Sequence, residues 1–492
     1  MISIIGGLIT ILIGFIWFRT LRKSSLNEPP LVPYKYPLIG HTFEYYKDVP
    51  GFLKKCQEEY GEIFSLYIWG CIQTYVGNDI YSDVFKKHQE FNFQDAFSEI
   101  FPIDDFLNRP PLFFKPVINH VKEFFQDMSR FNELMQKELI ISFNELIGNG
   151  KVVQPLLPIL QHIIARPIAA TIVGKDFCVD KELLDTFSNL TAELGPWLSV
   201  PPLLNFIYFG LHRRYISCKF RYLNNPIKIH RKTIISKITP VIEQRIADQK
   251  KFGDSWERPD DVMQDLMEKS VQELNVVDIS YVTDFIICFI FASVHNTSVT
   301  LGQCISEYLN NPEYQKDLLE EAEKIHDEDK KLSPDATNKM VKLDHFIKET
   351  LRLNRHDVSL PHKNLSEVFT FTNGYQIPKG RIVQVVTRHI HHNSTTYGPN
   401  PEKFNPDHHV KSPATRPERN FLAFGMGKNA CPGRYFAINE VKLSMHYILL
   451  NYNVRNASGK YIEQKRKGEN VLVSDEAFIF ERKDKTPYTH EF

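Results

Sequence analysis

A single thiol stands in unusual surroundings. The stretch "FLAFGMGKNACPGRYFAINEVKL", Phe421 to Leu443, sets Cys431 between Gly427 and Gly433, with Pro432 directly after the sulfur. The glycines permit a tight turn and a close approach of backbone that a Cβ would block, and the proline fixes its own φ. From Tyr435 onward, Ala437, Ile438, Val441, Met445, Ile448 and Leu449 recur at helical spacing. Cys431 therefore lies at a helix N-terminus, whose unpaired N–H groups and positive dipole end favour thiolate. Phe424 can cover one side of the sulfur. An ionised sulfur on a stiff loop, with backbone able to come close, suits a ligand to a metal held in a flat macrocycle. The alternatives are a packing cysteine, a zinc ligand or a nucleophile. No second cysteine or histidine stands at zinc spacing from Cys431, and no base partner for a nucleophile is identifiable.

Two other groups of residues bear on chemistry. In "KETLR", Glu349 and Arg352 stand at i and i+3 on one helix face; as a surface pair they contribute about half a kcal/mol or less. In "FASVHNTS", small Ala292 precedes His295, Asn296 and Thr297. A histidine titrating near neutrality can supply protons, and Asn or Thr can orient water. Alternatively Asn296 and Thr297 bond their own helix backbone. The adjacent pairs His391–His392 and His408–His409 point apart and have no acid spaced with them, so surface or structural roles are expected there.

These residues need a scaffold. Val276 to Leu309 is proline-free and mostly apolar, a helix long enough to cross a domain. Its polar residues Asp284, His295, Asn296, Thr297, Ser298 and Gln303 mark it as a core helix and not a membrane span. After it, "NNPEY" signals a helix start with Asn311 as N-cap and Pro312 in the first helical position. A helix around Asp344 to Leu353 carries "HFIKETLRLNR". Helical patterning dominates from Asp104 to Arg355. "GEIFSLYIWGCIQTYVGN" alternates like a hairpin about Gly70, and "VFTFTNGYQIPKGRIVQVV" is β-rich. The expected fold class is mainly α with a smaller β part.

At the start, Ile2 to Phe18 is uncharged and Arg19, Arg22 and Lys23 follow at once. This order reads as an uncleaved transmembrane helix, with the rest of the chain in the cytosol. The expected organisation is residues 1–23 as anchor, 24–40 as a proline-rich linker ("NEPPLVPYKYPLIGH") and 41–492 as one catalytic domain. A length of 492 residues would by itself suggest about three domains, but no linker long enough to split the body is present. Lys+Arg and Asp+Glu balance at 59 each, which argues against nucleic acid as a partner. Seven scattered cysteines without a CxxC pair suit a reducing compartment.

The cysteine loop resembles the haem-binding signature of the cytochrome P-450 superfamily, F-x-x-G-x-x-x-C-x-G, with Phe424, Gly427, Cys431 and Gly433 on its fixed places. The resemblance implies the cytochrome P-450 fold and haem b with the Cys431 thiolate as axial ligand. It makes Glu349 and Arg352 the E-x-x-R pair that supports the loop, with His408 of "NPDHH" where the family has a third, arginine member. It extends to "GYQIPKG", "HIHHN", the proline-rich linker and the N-terminal anchor of microsomal members. His362 or Lys363 lies where the family often has an arginine for the haem propionates. On the oxygen side, His295 stands in the place of the usual acid and Asn296 in that of the first threonine, with Thr297 next. "AS-x-x-NT" with "CPGR-x-FAI-x-E-x-K" is similar to the branch of sterol 7α- and 12α-hydroxylases and prostacyclin synthase, and to fungal terpenoid and steroid oxygenases.

The function so implied is a haem-thiolate monooxygenase of the endoplasmic reticulum membrane, single-pass, inserting one oxygen atom from O2 into a sterol, terpenoid or fatty acyl compound. Its electrons would come from NADPH-cytochrome P-450 reductase, with cytochrome b5 as a second donor. Lys428, Arg434 and Lys442 offer a basic docking patch for such a partner. The competing expectations are a haem-thiolate isomerase or dehydratase of a peroxide, which needs no reductant, and a non-catalytic haem-binding sensor. The aromatic segment Phe91 to Phe106 is expected either to line the substrate pocket or to belong to the core.

Overall fold

Apolar runs long enough to bury a whole stripe become the helices that frame the interior. The computed structural model describes residues 25–483 except 108, 110–113, 126, 199 and 355–358, together with Gly14. The helices that matter for the site are α1 (Phe114–Phe124), α2 (Ser129–Leu146), α3 (Leu156–Val173), α4 (Lys181–Leu198), α5 (Pro226–Phe252), α6 (Ile279–Asn310), α7 (Val341–Leu353) and α8 (Arg434–Asn451). Helix α6 runs through the middle and packs against α3, α4, α5, α7 and α8. It starts where the Asp278 side chain accepts from the N–H groups of Ser280 and Tyr281.

Helices α3 and α6 are long and apolar enough to cross a membrane, yet 78% and 67% of their apolar windows are buried within the protein. Reading α6 as a core helix therefore stands. The expected anchor, residues 1–23, lies outside the described residues apart from Gly14. Inside α6, Asp284 is fully buried and accepts from Arg109 Nε at 2.6 Å and from Arg231 Nε of α5 at 2.7 Å. The N-cap expected at Asn311 does not form. Its amide donates back to the Glu307 carbonyl at 2.9 Å, and Pro312–Tyr314 makes a 3-10 turn before the next helix, Gln315–Glu328.

The β part is small. A five-stranded sheet takes the order β1 (Ile63–Ile68), β2 (Cys71–Val76), Ile382–Val386, Ser359–Asn364, Phe91–Asn92. The hairpin turns at Trp69 and Gly70, both at positive φ (49° and 76°), which matches the twist of paired strands. Of its pairings, only that of β2 with Ile382–Val386 is parallel. The proline-rich stretch is not a free linker where it is described. Ser65 N–H donates to Pro30 O at 2.8 Å, Val32 N–H donates to Ser65 O at 3.0 Å, and Arg381 pairs with Glu28. None of the seven cysteines forms a disulfide.

Candidate active site

A cavity of about 450 Å³ opens between α6, α1 and the loop that leads into α8. Its wall is mainly apolar, with Phe93, Phe125, Phe289 and Phe436 among the contributors. Of the Phe91–Phe106 segment only Phe93 and Gln94 reach it; Phe101 stacks on Phe291 and Phe106 on Phe220 within the core. Ala292, Asn296 and Thr297 of α6 line the cavity, and so do Phe424, Cys431 and Gly433.

The cysteine loop is held by its own backbone. Cys431 N–H donates to the Phe424 carbonyl at 2.7 Å, closing a turn in which Gly425 and Gly427 take φ of +69° and +65°. Only residues without a Cβ adopt this readily. Gly427 is needed for its conformation, as the sequence suggests, whereas Gly433 is not. At φ −87° it is the N-cap of α8, and the nearest heavy atom to an added Cβ is Val121 Cγ1 at 4.0 Å. Both residues line the cavity, so such a Cβ would project into the open space. Arg434 ties the loop down by donating to Cys431 O and Thr415 O, both at 2.9 Å.

Beneath the loop, Glu349 and Arg352 are both fully buried and form two hydrogen bonds of 2.7 Å. This is not the exposed pair of about half a kcal/mol. Glu349 also accepts from His408 at 3.2 Å, His409 at 2.8 Å and Asn405 N–H at 2.9 Å. Burial alone would push the Glu349 carboxyl up. The converging donors, Arg352 foremost, hold it instead far below the usual carboxylate range. Arg352 donates its remaining Nη1 hydrogens to the carbonyls of His391 and Pro401.

His408 thus occupies the third place that the sequence offered it. Of the surface or structural roles expected for the histidine pairs, His409 and His391 take the structural one. His391 Nδ1 faces the Arg352 carbonyl at 3.2 Å, and its Nε2 accepts from Leu422 N–H at 2.9 Å, which links the ion pair to the cysteine loop. Lys348, one residue before Glu349, is also buried and holds Glu418 at 2.8 Å. Adjacent histidines with an acid some 60 residues away leave no local sequence signal, which is why only His408 could be assigned from the pattern.

Two expectations about the cavity wall are corrected. His295 does not line the cavity; its Nδ1 lies 3.2 Å from Gln161 Nε2 on α3. Successive residues turn about 100° around a helix, so with Ala292 and Asn296 on the cavity face, His295 falls toward α3. Asn296 faces the cavity but donates its amide to the Ala292 carbonyl at 2.9 Å, the helix-bonding alternative. Lys363 is likewise turned away. Strand alternation sends it to the face opposite His362, where it pairs with Glu99 at 2.9 Å. His362 is buried and lines the cavity, with Nδ1 3.3 Å from the Leu360 carbonyl and Nε2 without a partner. Burial drives its pKa down to about 4.

The basic docking patch also loses a member. Lys442 is buried against Asp344 at 2.7 Å and cannot reach a partner.

Comparison with known proteins agrees with this geometry. The cytochrome P450 family matches residues 29–481. Cytochrome P450 monooxygenase 151 of Postia placenta is 24% identical over 474 residues, covering 92% of this chain and 91% of the relative. Cytochrome P450 monooxygenase 71 of the same fungus is 33% identical over 233 residues, 45% of this chain and 46% of the relative. Among solved structures, retinoic acid-bound cyanobacterial CYP120A1 superposes with a TM-score of 0.69 at 19% identity, covering 93% of this chain and all of the other. The chain belongs to the cytochrome P450 family, oxygen-incorporating oxidoreductases that hold haem through a cysteine thiolate.

Proposed function

We propose that this chain is a monooxygenase that uses Cys431 as the axial haem ligand and hydroxylates a hydrophobic sterol, terpenoid or fatty acyl substrate. Electrons come from NADPH-cytochrome P-450 reductase. Residues 1–23 anchor it in the endoplasmic reticulum membrane, with the catalytic part in the cytosol. The observation that carries this reading is that Cys431 and Ala292, from different elements, line one apolar cavity.

Two features support haem as the group held there. Gly433 leaves open space where any side chain would intrude. His362 presents a buried, unpartnered Nε2 to the cavity. With Nδ1 facing the Leu360 carbonyl, Nε2 is the ring atom that would donate to a haem carboxylate, and such an anion would offset the desolvation that keeps the ring neutral.

When bound, thiolate-ligated haem supplies activation of dioxygen by favouring O–O cleavage. The chain does the rest. The Phe424–Cys431 turn and Arg434 fix the sulfur, the phenylalanine wall holds an apolar substrate and excludes water, and Ala292 leaves room on the α6 side. Thr297 and the side-chain oxygen of Asn296, whose NH2 is taken by the Ala292 carbonyl, are the polar atoms that would orient water there.

The test is spectral and chemical. Reduced protein under carbon monoxide should show the red-shifted Soret band of thiolate ligation. With reductase and a lipid extract, it should consume NADPH in step with oxygen incorporated from O2. Turnover of an endoperoxide without reductant would assign an isomerase instead. A spin shift without product under any electron supply would assign a haem sensor.

A further inference from the structure

Hydroxylation of a C–H bond by dioxygen consumes two electrons and two protons and releases one water, so protons must reach the α6 side of the cavity. Among the described residues, those lining it include no Asp or Glu. Of the titratable groups that do line it, His362 is held near 4 and Cys288 is pushed far up by burial. Lys428 and Cys431 belong to the cysteine loop. His295 faces α3, and the Asn296 amide is bound to its own helix. None of these is placed to donate a proton on the α6 side and regain it.

One carboxyl lies directly behind the lining. Glu307 Oε1 accepts from Asn354 Nδ2 at 2.8 Å, and Asn354 itself lines the cavity. Glu307 also stands one turn beyond Gln303 on α6, about 6 Å along the axis. Thr300, Gln303 and Glu307 recur at spacings of three and four and so share a face; the first two line the cavity. Gln303 is 6% exposed and its Nε2 has no partner, a buried donor directed at the same space.

On the other side, exposed Gln464 bonds Asn354 and approaches Glu307 Oε1 at 3.4 Å, while Asn311 donates to Oε2 at 3.0 Å. Glu307 is thus one hydrogen bond from the cavity wall and one from solvent. Burial, with the Glu349 charge behind it, raises its carboxyl above the ordinary value despite these amide donors. That is the direction a proton donor near neutrality requires.

We infer that Glu307 supplies protons to the α6 side of the cavity through water ordered by Thr300, Gln303 and Asn354, and is reprotonated from solvent past Gln464. The carboxyl O–H breaks toward the Gln303 side, the water chain passes one proton into the cavity, and the carboxylate regains one from solvent. The inference rests on the monooxygenase reading.

The test compares Glu307→Gln, Glu307→Asp and Gln303→Leu in the haem-loaded full chain with reductase and no added substrate. Hydrogen peroxide released per NADPH is the first readout; a carboxyl C=O infrared band that titrates above the ordinary glutamate range is the second. Glu307→Gln should raise the peroxide ratio several-fold and lose the band. Glu307→Asp should restore part of both, and Gln303→Leu should raise the ratio while keeping the band. An unchanged ratio in Glu307→Gln, or no band that depends on Glu307, overturns the inference alone. Where Glu307→Gln does not load haem, an unchanged ratio in Gln303→Leu does the same. Absence of the carbon monoxide shift in the unaltered protein overturns the monooxygenase reading with it.

Discussion

Replacing Glu349 by Gln tests whether the buried ion pair carries the cysteine loop. Five donors converge on the two carboxylate oxygens: Arg352 twice at 2.7 Å, His409 at 2.8 Å, Asn405 N–H at 2.9 Å and His408 at 3.2 Å. A glutamine offers one oxygen, and its NH2 would face donors. At least two groups then lose their acceptor, each at about 1–3 kcal/mol, and a buried guanidinium loses its counter-charge. The expected loss is about 3–5 kcal/mol, a large share of the roughly 5–15 kcal/mol that holds a protein folded.

The assay is urea unfolding of purified protein, with haem per chain as the second readout. The pH dependence adds a sign. Because the folded-state carboxyl is depressed, its contribution is fully present above the unfolded value of about 4.3 and is lost as pH falls below it. The gap between parent and Glu349→Gln should therefore narrow in acid. An unchanged urea midpoint with full haem loading would refute the reasoning.

Three further outcomes follow from other parts of the site. Gly433→Leu should fold normally without haem, since no heavy atom lies closer than 4.0 Å to its Cβ position, but should bind haem at least tenfold more weakly by titration. In haem-free protein, His362 has a depressed pKa of about 4 against 6.5. Stability should thus be full above pH ~6.5 and fall by up to about 3 kcal/mol toward pH ~4, a slope that His362→Gln abolishes in chemical denaturation. Asp284→Asn should cost about 3 kcal/mol, because Arg109 and Arg231 lose their shared buried counter-ion; thermal unfolding measures it.

The parts of the fold legible in the sequence were those encoded locally. The hairpin about Gly70, the long core helix and the cysteine loop each announce themselves by period or by turn residues within one short window. Glu349 and Arg352 were legible as neighbours, but their burial was not, since nothing in "KETLR" says what covers it. His391 and His409 act across long separations, so their roles exist only once α7 docks beneath the loop. His295 went astray for a similar reason. A motif fixes which residues stand near a cavity, but the rotation of α6 against α3 decides which of them face it. Lys363 and Lys442 fell to the same kind of cause, strand alternation in one case and a buried acid in the other.

The pairing of Pro30 and Val32 with Ser65, reinforced by Glu28 against Arg381, gives the body a stitched margin in place of a swivel. Anything attached upstream meets the globule at a set point and in a set direction. A lipid-embedded leader would then dictate how high the globule rides over the bilayer and which side of it greets an arriving electron carrier.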